Sequence, residues 1–395
     1  MKSPVIAHQD TDNIVRVSSE PELQRAMKSP SEYSVILIAP GEYKLTKTLW
    51  VRTNNVTIRG DSDRCDDVVL VGKGMENAAG LDSVPHGVWT KAINTRVQNL
   101  TIRDVYYHAV SIDGKAYAPE IYNVRMIDIG AQFVKSNPRS FGVGADNGSV
   151  QYSIMQYSTK PPETDHGGGS GYTQGVDVHA GKNWLVSDNL FDNFHTPDSA
   201  KNLWNPAILM WNGAANSIVQ NNLFINVDRA IAFGLIDRPD DHRGGIIRNN
   251  MIVMRPNLYS SSRKASSDAA ILVWNSPDTW VLHNTIFTRG NTHKSIELRF
   301  ESSGSIVRNN LVDAPITDRS QSTFEKEGNV EYHGPNIFSD ISSANLRLQG
   351  AVAGITGVVP ILLGAGKDID GDIRGCTSGF TDVGAHEFGS DNNKC

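Results

Sequence analysis

The chain has 395 residues, 39% hydrophobic and 20% charged, with a formal net charge of -6, a composition that fits a folded chain with a sizeable core and excludes a disordered one. The mildly acidic balance argues against a dedicated nucleic-acid binder, although a cleft can be locally basic on an acidic protein. No run of about 18 apolar residues occurs, so no membrane span is expected.

From the N-terminus, MKSPVIAHQD lacks the apolar core of a signal peptide. A secreted or periplasmic location is expected, with any leader absent from this sequence. SSEPELQRAMKS has a Ser/Glu start and helical apolar spacing, and predicts a capping helix. It precedes VILIAPGEYKLTKTLWV, which reads as the first coil of a repeat. Looser repeat copies follow: NNVTIRG from Asn54, QNLTIRDV from Gln98, YNVRMIDIG from Tyr122 and QYSIMQYS from Gln151.

Five sharper copies come next: NWLVSDNLF at 183, NSIVQNNLF at 216, GGIIRNNMI at 244, TWVLHNTIF at 279 and GSIVRNNLV at 304. Each alternates briefly, passes an Asn-rich corner and resumes with a short apolar run, with no helical period between copies. Strands that recur about once per 30 residues stack on their counterparts in the next copy, parallel and in register. Asn189, Asn222, Asn250, Thr285 and Asn310 share the corner column, where asparagine tolerates left-handed backbone and bonds from rung to rung.

This pattern resembles the pectate-lyase-like right-handed parallel β-helix superfamily. The expected fold class is therefore all-β, a single-domain solenoid over 1–395. Its N-terminal cap and first coil cover about 17–50, its coils 51–315, and its last coils and irregular tail 316–395. The tail DIDGDIRGCTSGFTDVGAHEFG resembles that of many bacterial β-helix proteins; Asp368, Asp370 and Asp372 look like calcium ligands but lack the distal Glu of an EF-hand loop. Cys376 and Cys395 either staple this tail, leaving Cys65 free, or all the thiols stay unpaired.

A solenoid concentrates its variation on one outer face. The windows before the anchors place Val178, Trp211, Trp274 and Arg299 in one column, give or take one residue, and Phe233 joins them if IDRPDDHR loops out. The two tryptophans are either sugar-stacking rings or core filler. Asp177 and His179 leave the same strand face, where a carboxylate can orient an imidazole as base or acid. GYTQGVDVH loosely resembles the Tyr, Asp, His segment of the alginate epimerase β-helix modules, with Tyr172 in reach and Val178 where that family has proline. Loops add His195, Asp198, Lys201, Trp204, Arg229, Arg238, His242 and Arg243. IELRFESSGSIVRNN, with Glu297 and Arg299, is reminiscent of the catalytic rung of the alginate and chondroitin lyase β-helix family, without a lysine at the matching spot.

These residues point to β-elimination on an acidic polysaccharide. That reaction needs a cation for the uronate carboxylate (Arg299 or Arg229), a base for the C5 proton (His179 or His195) and an acid for the leaving oxygen (Tyr172). Calcium is a candidate cofactor, held by Asp177 or Glu297. C5 epimerisation uses the same proton abstraction. Glycoside hydrolysis needs paired carboxylates, for which Asp240 and Asp241 are available without the Gly-His-Gly signature of polygalacturonase-like enzymes. A glycan-binding β-helix is the non-catalytic alternative. A monomer is expected, with no nucleic-acid or membrane partner.

Overall fold

The computed structural model describes residues 13–77, 83–376 and 379–390. Residues 1–12, on which the reading of the chain's start rests, and Cys395, on which the choice between a stapled tail and unpaired thiols rests, lie outside them; Cys65 is free. The chain divides into two compact units, Met1–Ala214 and Ala215–Cys395. Each is built of parallel coils, so the all-β parallel β-helix is the fold that forms.

In the first unit one face consists of strands Leu49–Val51, His86–Thr90, His108–Ile112, Val134–Ser136, Val176–His179 and Pro206–Trp211, each pairing in parallel with the next. The opposite wall begins with Asn13–Val17, Ser34–Ile38 and Thr57–Gly60 and continues through Arg96–Arg103 and Glu120–Ile127. Those last two strands turn a corner midway, where Asn99 (φ 53°) and Asn123 (φ 52°) take left-handed backbone and the Asn123 amide donates to Asn99 Oδ1 at 3.0 Å. Short amide side chains tolerate that conformation and satisfy each other across the rung.

The expected helix forms as Glu20–Lys28, with Leu23 and Met27 buried. One correction applies: Asn13–Val17 precedes it and already pairs with Ser34–Ile38, so the helix sits between the first two coils.

The second unit repeats the plan. Its faces are Arg229–Phe233, Ala269–Trp274, Lys294–Arg299 and Ile316–Asp318 on one side, and Ile218–Gln220, Ile246–Arg248, Trp280–Leu282, Ile306–Arg308 and Glu325–Glu327 on another. A buried amide ladder runs up its corner. Asn222 donates to Asn250, Asn250 to Asn284, Asn284 to Asn310 and Asn310 to Asn329, each at 2.9 Å. The fourth rung is thus Asn284, not Thr285. The left-handed residues are the preceding ones, Asn221, Asn249, His283 and Asn309, so ladder bonding and backbone tolerance fall to neighbouring positions. Past the coils the tail forms two antiparallel pairs, Phe338–Asp340 with Asn345–Leu348 and Val359–Pro360 with Phe380–Thr381.

Candidate active site

The register decides which side chains share a column. His179 pairs with Trp211, and Val178 pairs with Met210. The expected Val178 column was one residue out: Val176 and Val178 fill the core, while Asp177 and His179 leave the other face. In the preceding coil Lys135 pairs with Asp177 and is flanked by buried Val134 and Ser136, so it too points outward. Sequence reasoning passed over this lysine.

Lys135, Asp177, His179 and Trp211 form one hydrogen-bonded cluster. The Lys135 ammonium donates to Asp177 Oδ2 and lies 2.8 Å from His179 Nε2. Trp211 Nε1 donates to Asp177 Oδ1 at 3.0 Å, and the Trp211 ring centroid lies 4.5 Å from that of His179. Burial alone would raise the Asp177 carboxyl; the Lys135 ammonium, and after it His179, more than offset this and hold it well below the usual carboxylate range. Asp177 is fully buried, whereas Lys135 keeps 11% of its side chain exposed. The carboxylate is thus a fixed anchor, and the lysine and imidazole are the groups that reach solvent.

Lys135 also lines a pocket of about 340 Å³ with His86, His108, Gln132, His166 and Tyr172. Burial pushes the His86 imidazole down to about 4, and burial aided by His86 and Lys135 pushes His108 down to about 3. Both rings are neutral near pH 7 and stack at 5.1 Å. His108 Nδ1 lies 2.9 Å from the Gln132 carbonyl, which can only accept, so Nδ1 carries the proton. Gln132 is buried, yet its amide nitrogen has no partner, leaving a donor beside the pocket. The Tyr172 phenol is raised by burial and then by the Asp177 charge. It stays protonated and can give a proton. A Cβ added at Gly168 would overlap its ring, so only glycine lets the loop close over it.

The structure thus brings together Asp177, His179, Tyr172 and Trp211 of the expected residues. His195 and Trp204 are half-buried on the loop after Asp192 and are not among the described residues lining the pocket. Asp198 and Lys201 are exposed on the same loop; the other candidates lie in the second unit. His242 was expected to face substrate. It is fully buried, bonded to Ser276 and Ser217 at 2.8 and 3.1 Å, and burial pushes it down to about 3; it is a packing residue. Arg243 is exposed and pairs with Asp240 and Asp278. Glu297 is fully buried and paired with Lys294. Trp274 pairs with Arg299 in register and carries the guanidinium groups of Arg299 and Arg229 at 4.8 and 5.5 Å from its centroid. Arg229 is bound by Asp268. Phe233 pairs with Val273 and stays out of the Trp274 column. Asp240 is exposed and Asp241 buried against Arg238, so the two do not face a common space as a hydrolytic pair would.

Residues present at Asp177 do not fit a calcium ion, because the Lys135 ammonium already occupies the space facing its carboxylate. Glu297 is likewise taken by Lys294. In the tail, Asp368, Asp370 and His386 place one possible ligand atom each within 4.8 Å of one another. Asp368 there accepts the backbone N–H groups of Asp370, Asp372 and Glu387, and Asp370 is paired with Arg347.

No family model matches the chain, and no curated protein matches it. Among solved structures it is similar to an alginate lyase from Paenibacillus sp. str. FPU-7, at 13% identity and a TM-score of 0.47 over 81% of this chain and 95% of that one. It is also similar to the PL6 family polysaccharide lyase Pedsa3628 from Pseudopedobacter saltans, at 12% identity and a TM-score of 0.41 over 86% and 96%. A third is the GH136 lacto-N-biosidase from Eubacterium ramulus, at 12% identity and a TM-score of 0.48 over 81% and 68%. Likeness at this level leaves activity to be read from the site itself.

Proposed function

We propose that the protein cleaves a uronic-acid-containing polysaccharide by β-elimination at the outer face around Lys135, acting outside the cytoplasm. The observation that carries this reading is the outward Lys135 ammonium held between a buried carboxylate and the Nε2 of His179, with a protonated phenol on the wall of the same pocket. Elimination next to a carboxylate needs three groups, and each has a resident here. Lys135 neutralises the uronate carboxylate and so acidifies the C5 proton. When that carboxylate engages the ammonium, His179 Nε2 is released to accept the proton. Tyr172 protonates the leaving glycosidic oxygen.

The lysine fills the place that sequence reasoning assigned to Arg299 or Arg229. Hydrolysis is less well supplied. None of the described residues lining the pocket is a carboxylate, and Asp177 is committed to Lys135 and Trp211, whereas hydrolysis needs two acidic groups flanking the bond. Epimerisation uses the same base and differs in returning a proton to C5.

The test is ultraviolet absorbance of unsaturated uronate during incubation with alginate, pectate, glucuronan, hyaluronan, chondroitin and heparin-type chains. A rise with one of them, abolished in His179→Ala and Lys135→Met, is the expected result. New reducing ends without absorbance would instead establish hydrolysis. Solvent deuterium entering C5 without chain cleavage would establish epimerisation.

A further inference from the structure

The column that holds Lys135 continues toward the N-terminus. Lys135 pairs with Ser111, Ser111 with Trp89, and Trp89 with Trp50. Leu49, Val51, Val88 and Thr90 on either side of the tryptophans are all fully buried, so the two indoles face outward on the same side as the lysine. At one rung per roughly 4.8 Å, Trp89 stands about 10 Å and Trp50 about 14 Å along the face from Lys135. Trp50 is 37% exposed. The rings meet at 4.9 Å and 54°, and the Arg52 guanidinium lies 5.1 Å from one centroid and 5.9 Å from the other.

The surroundings of this pair are cationic. Arg25 and Lys28, from the last turn of the capping helix, join Lys47, Trp50 and Arg52 around a pocket of about 360 Å³ whose described lining contains no carboxylate. The acids of the same helix are engaged elsewhere: Glu20 accepts from Thr46 and Glu22 from Ser18. Core packing does not account for two outward tryptophans. Indole faces stack on the C–H face of a pyranose, and a guanidinium fork pairs with a carboxylate in two parallel hydrogen bonds.

We propose that Trp50, Trp89 and Arg52, with Arg25, Lys28 and Lys47 around them, form a distal subsite that holds sugar residues of an acidic polysaccharide a few units from the bond at Lys135. The position of that bond rests on the function proposed above. Capture of a polyanionic saccharide by the subsite does not. The subsite makes the protein prefer long chains over short oligosaccharides, and its grip weakens as salt rises.

The experiment is native electrophoresis through gels cast with alginate, pectate, hyaluronan or chondroitin, with dextran and polyglutamate gels as controls. The full chain carries His179→Ala so that polymer is not consumed. Retardation is expected in at least one uronate gel and in neither control, with affinity falling about tenfold in Trp50→Ala and in Arg52→Ser, a change of about 1.4 kcal/mol. Thermal melting confirms that each variant is folded, and Arg52→Ser keeps the test open should Trp50→Ala fail to fold. Equal retardation of variants and parent, no retardation by any uronate, or equal retardation by polyglutamate would each overturn the proposal. Retardation lost in the variants of a protein that cleaves none of these polymers would leave the subsite standing and remove the assignment of Lys135.

Discussion

Replacing Lys135 by methionine removes the ammonium and keeps the length of the stem. The Asp177 carboxylate is fully buried and would keep the Trp211 N–H at 3.0 Å without its nearest cation. Breaking a buried ion pair from one side costs about 3–5 kcal/mol, most of it the cost of an uncompensated buried charge. The pH dependence carries the diagnostic sign. In the parent the folded Asp177 carboxyl lies below its unfolded value, so its contribution is fully present above about pH 4 and is lost as pH falls further. In Lys135→Met, burial is the largest influence on this carboxyl and is opposed only by His179 and the Trp211 N–H, so the folded carboxyl is expected to rise above its unfolded value. That variant recovers as pH falls through the raised value, and the gap to the parent narrows from pH 8 to pH 5. Lys135→Met/Asp177→Asn carries no buried charge and should be more stable at pH 8 than Lys135→Met alone. Urea unfolding followed by tryptophan fluorescence at both pH values measures this. A gap that is equal at pH 8 and pH 5, with no rescue by the second substitution, would refute the assignment of Asp177 as the buried anchor of Lys135.

Other outcomes follow from the same geometry. Tyr172→Phe should lower kcat by about 100-fold or more, the ordinary share of a general acid, with little change in polymer binding measured by gel retardation. His86 and His108 are held neutral by burial, at about 4 and about 3. Their contribution is therefore complete above about pH 6.5 and lost as pH falls toward those values, about 2 kcal/mol each by pH 5; urea midpoints of His108→Gln against parent across this range test it. His242→Gln should lower stability and leave kcat/KM within about twofold, as measured on whichever polymer the parent cleaves, because the ring is packed among Ser217, Ser276 and Phe233. EDTA should leave the initial rate unchanged, since the Lys135 ammonium stands where a divalent ion would neutralise the uronate; a rate restored only by calcium would contradict that role.

The coil was legible because its core positions obey one short pattern: apolar, polar, apolar, then an asparagine corner. Register was less so. Turn lengths between coils vary, and a single extra residue moved the corner from Thr285 to Asn284 and the partner of Trp211 from Val178 to His179. Asp177 and His179 stood out because they put ionisable side chains where the next coil has Leu209 and Trp211. Lys135 belongs to a weak copy, and a longer loop separates it from its anchor strand at Ser149–Gln151 than separates Asp177 from Leu185–Ser187, so counting back from the anchor misses it. The signal was present nonetheless: in FVKS, Val134 and Ser136 must share a face, which sends Lys135 outward. His242 misled for the opposite reason. It sits in a polar, loop-like phrase, but the chain folds it beneath two serines and an aromatic ring, and a hydrophilic neighbourhood in sequence does not report burial.

The central claim is that His179, released from Lys135 by the substrate carboxylate, takes the C5 proton. The most direct measurement is the isotope effect on kcat/KM with a polyuronate deuterated at C5, in the parent and in Lys135→Met. The account predicts a primary isotope effect in the parent, unsaturated products, and no measurable turnover in the variant. Cleavage with no C5 isotope effect and saturated products, or full activity without the lysine, would contradict it.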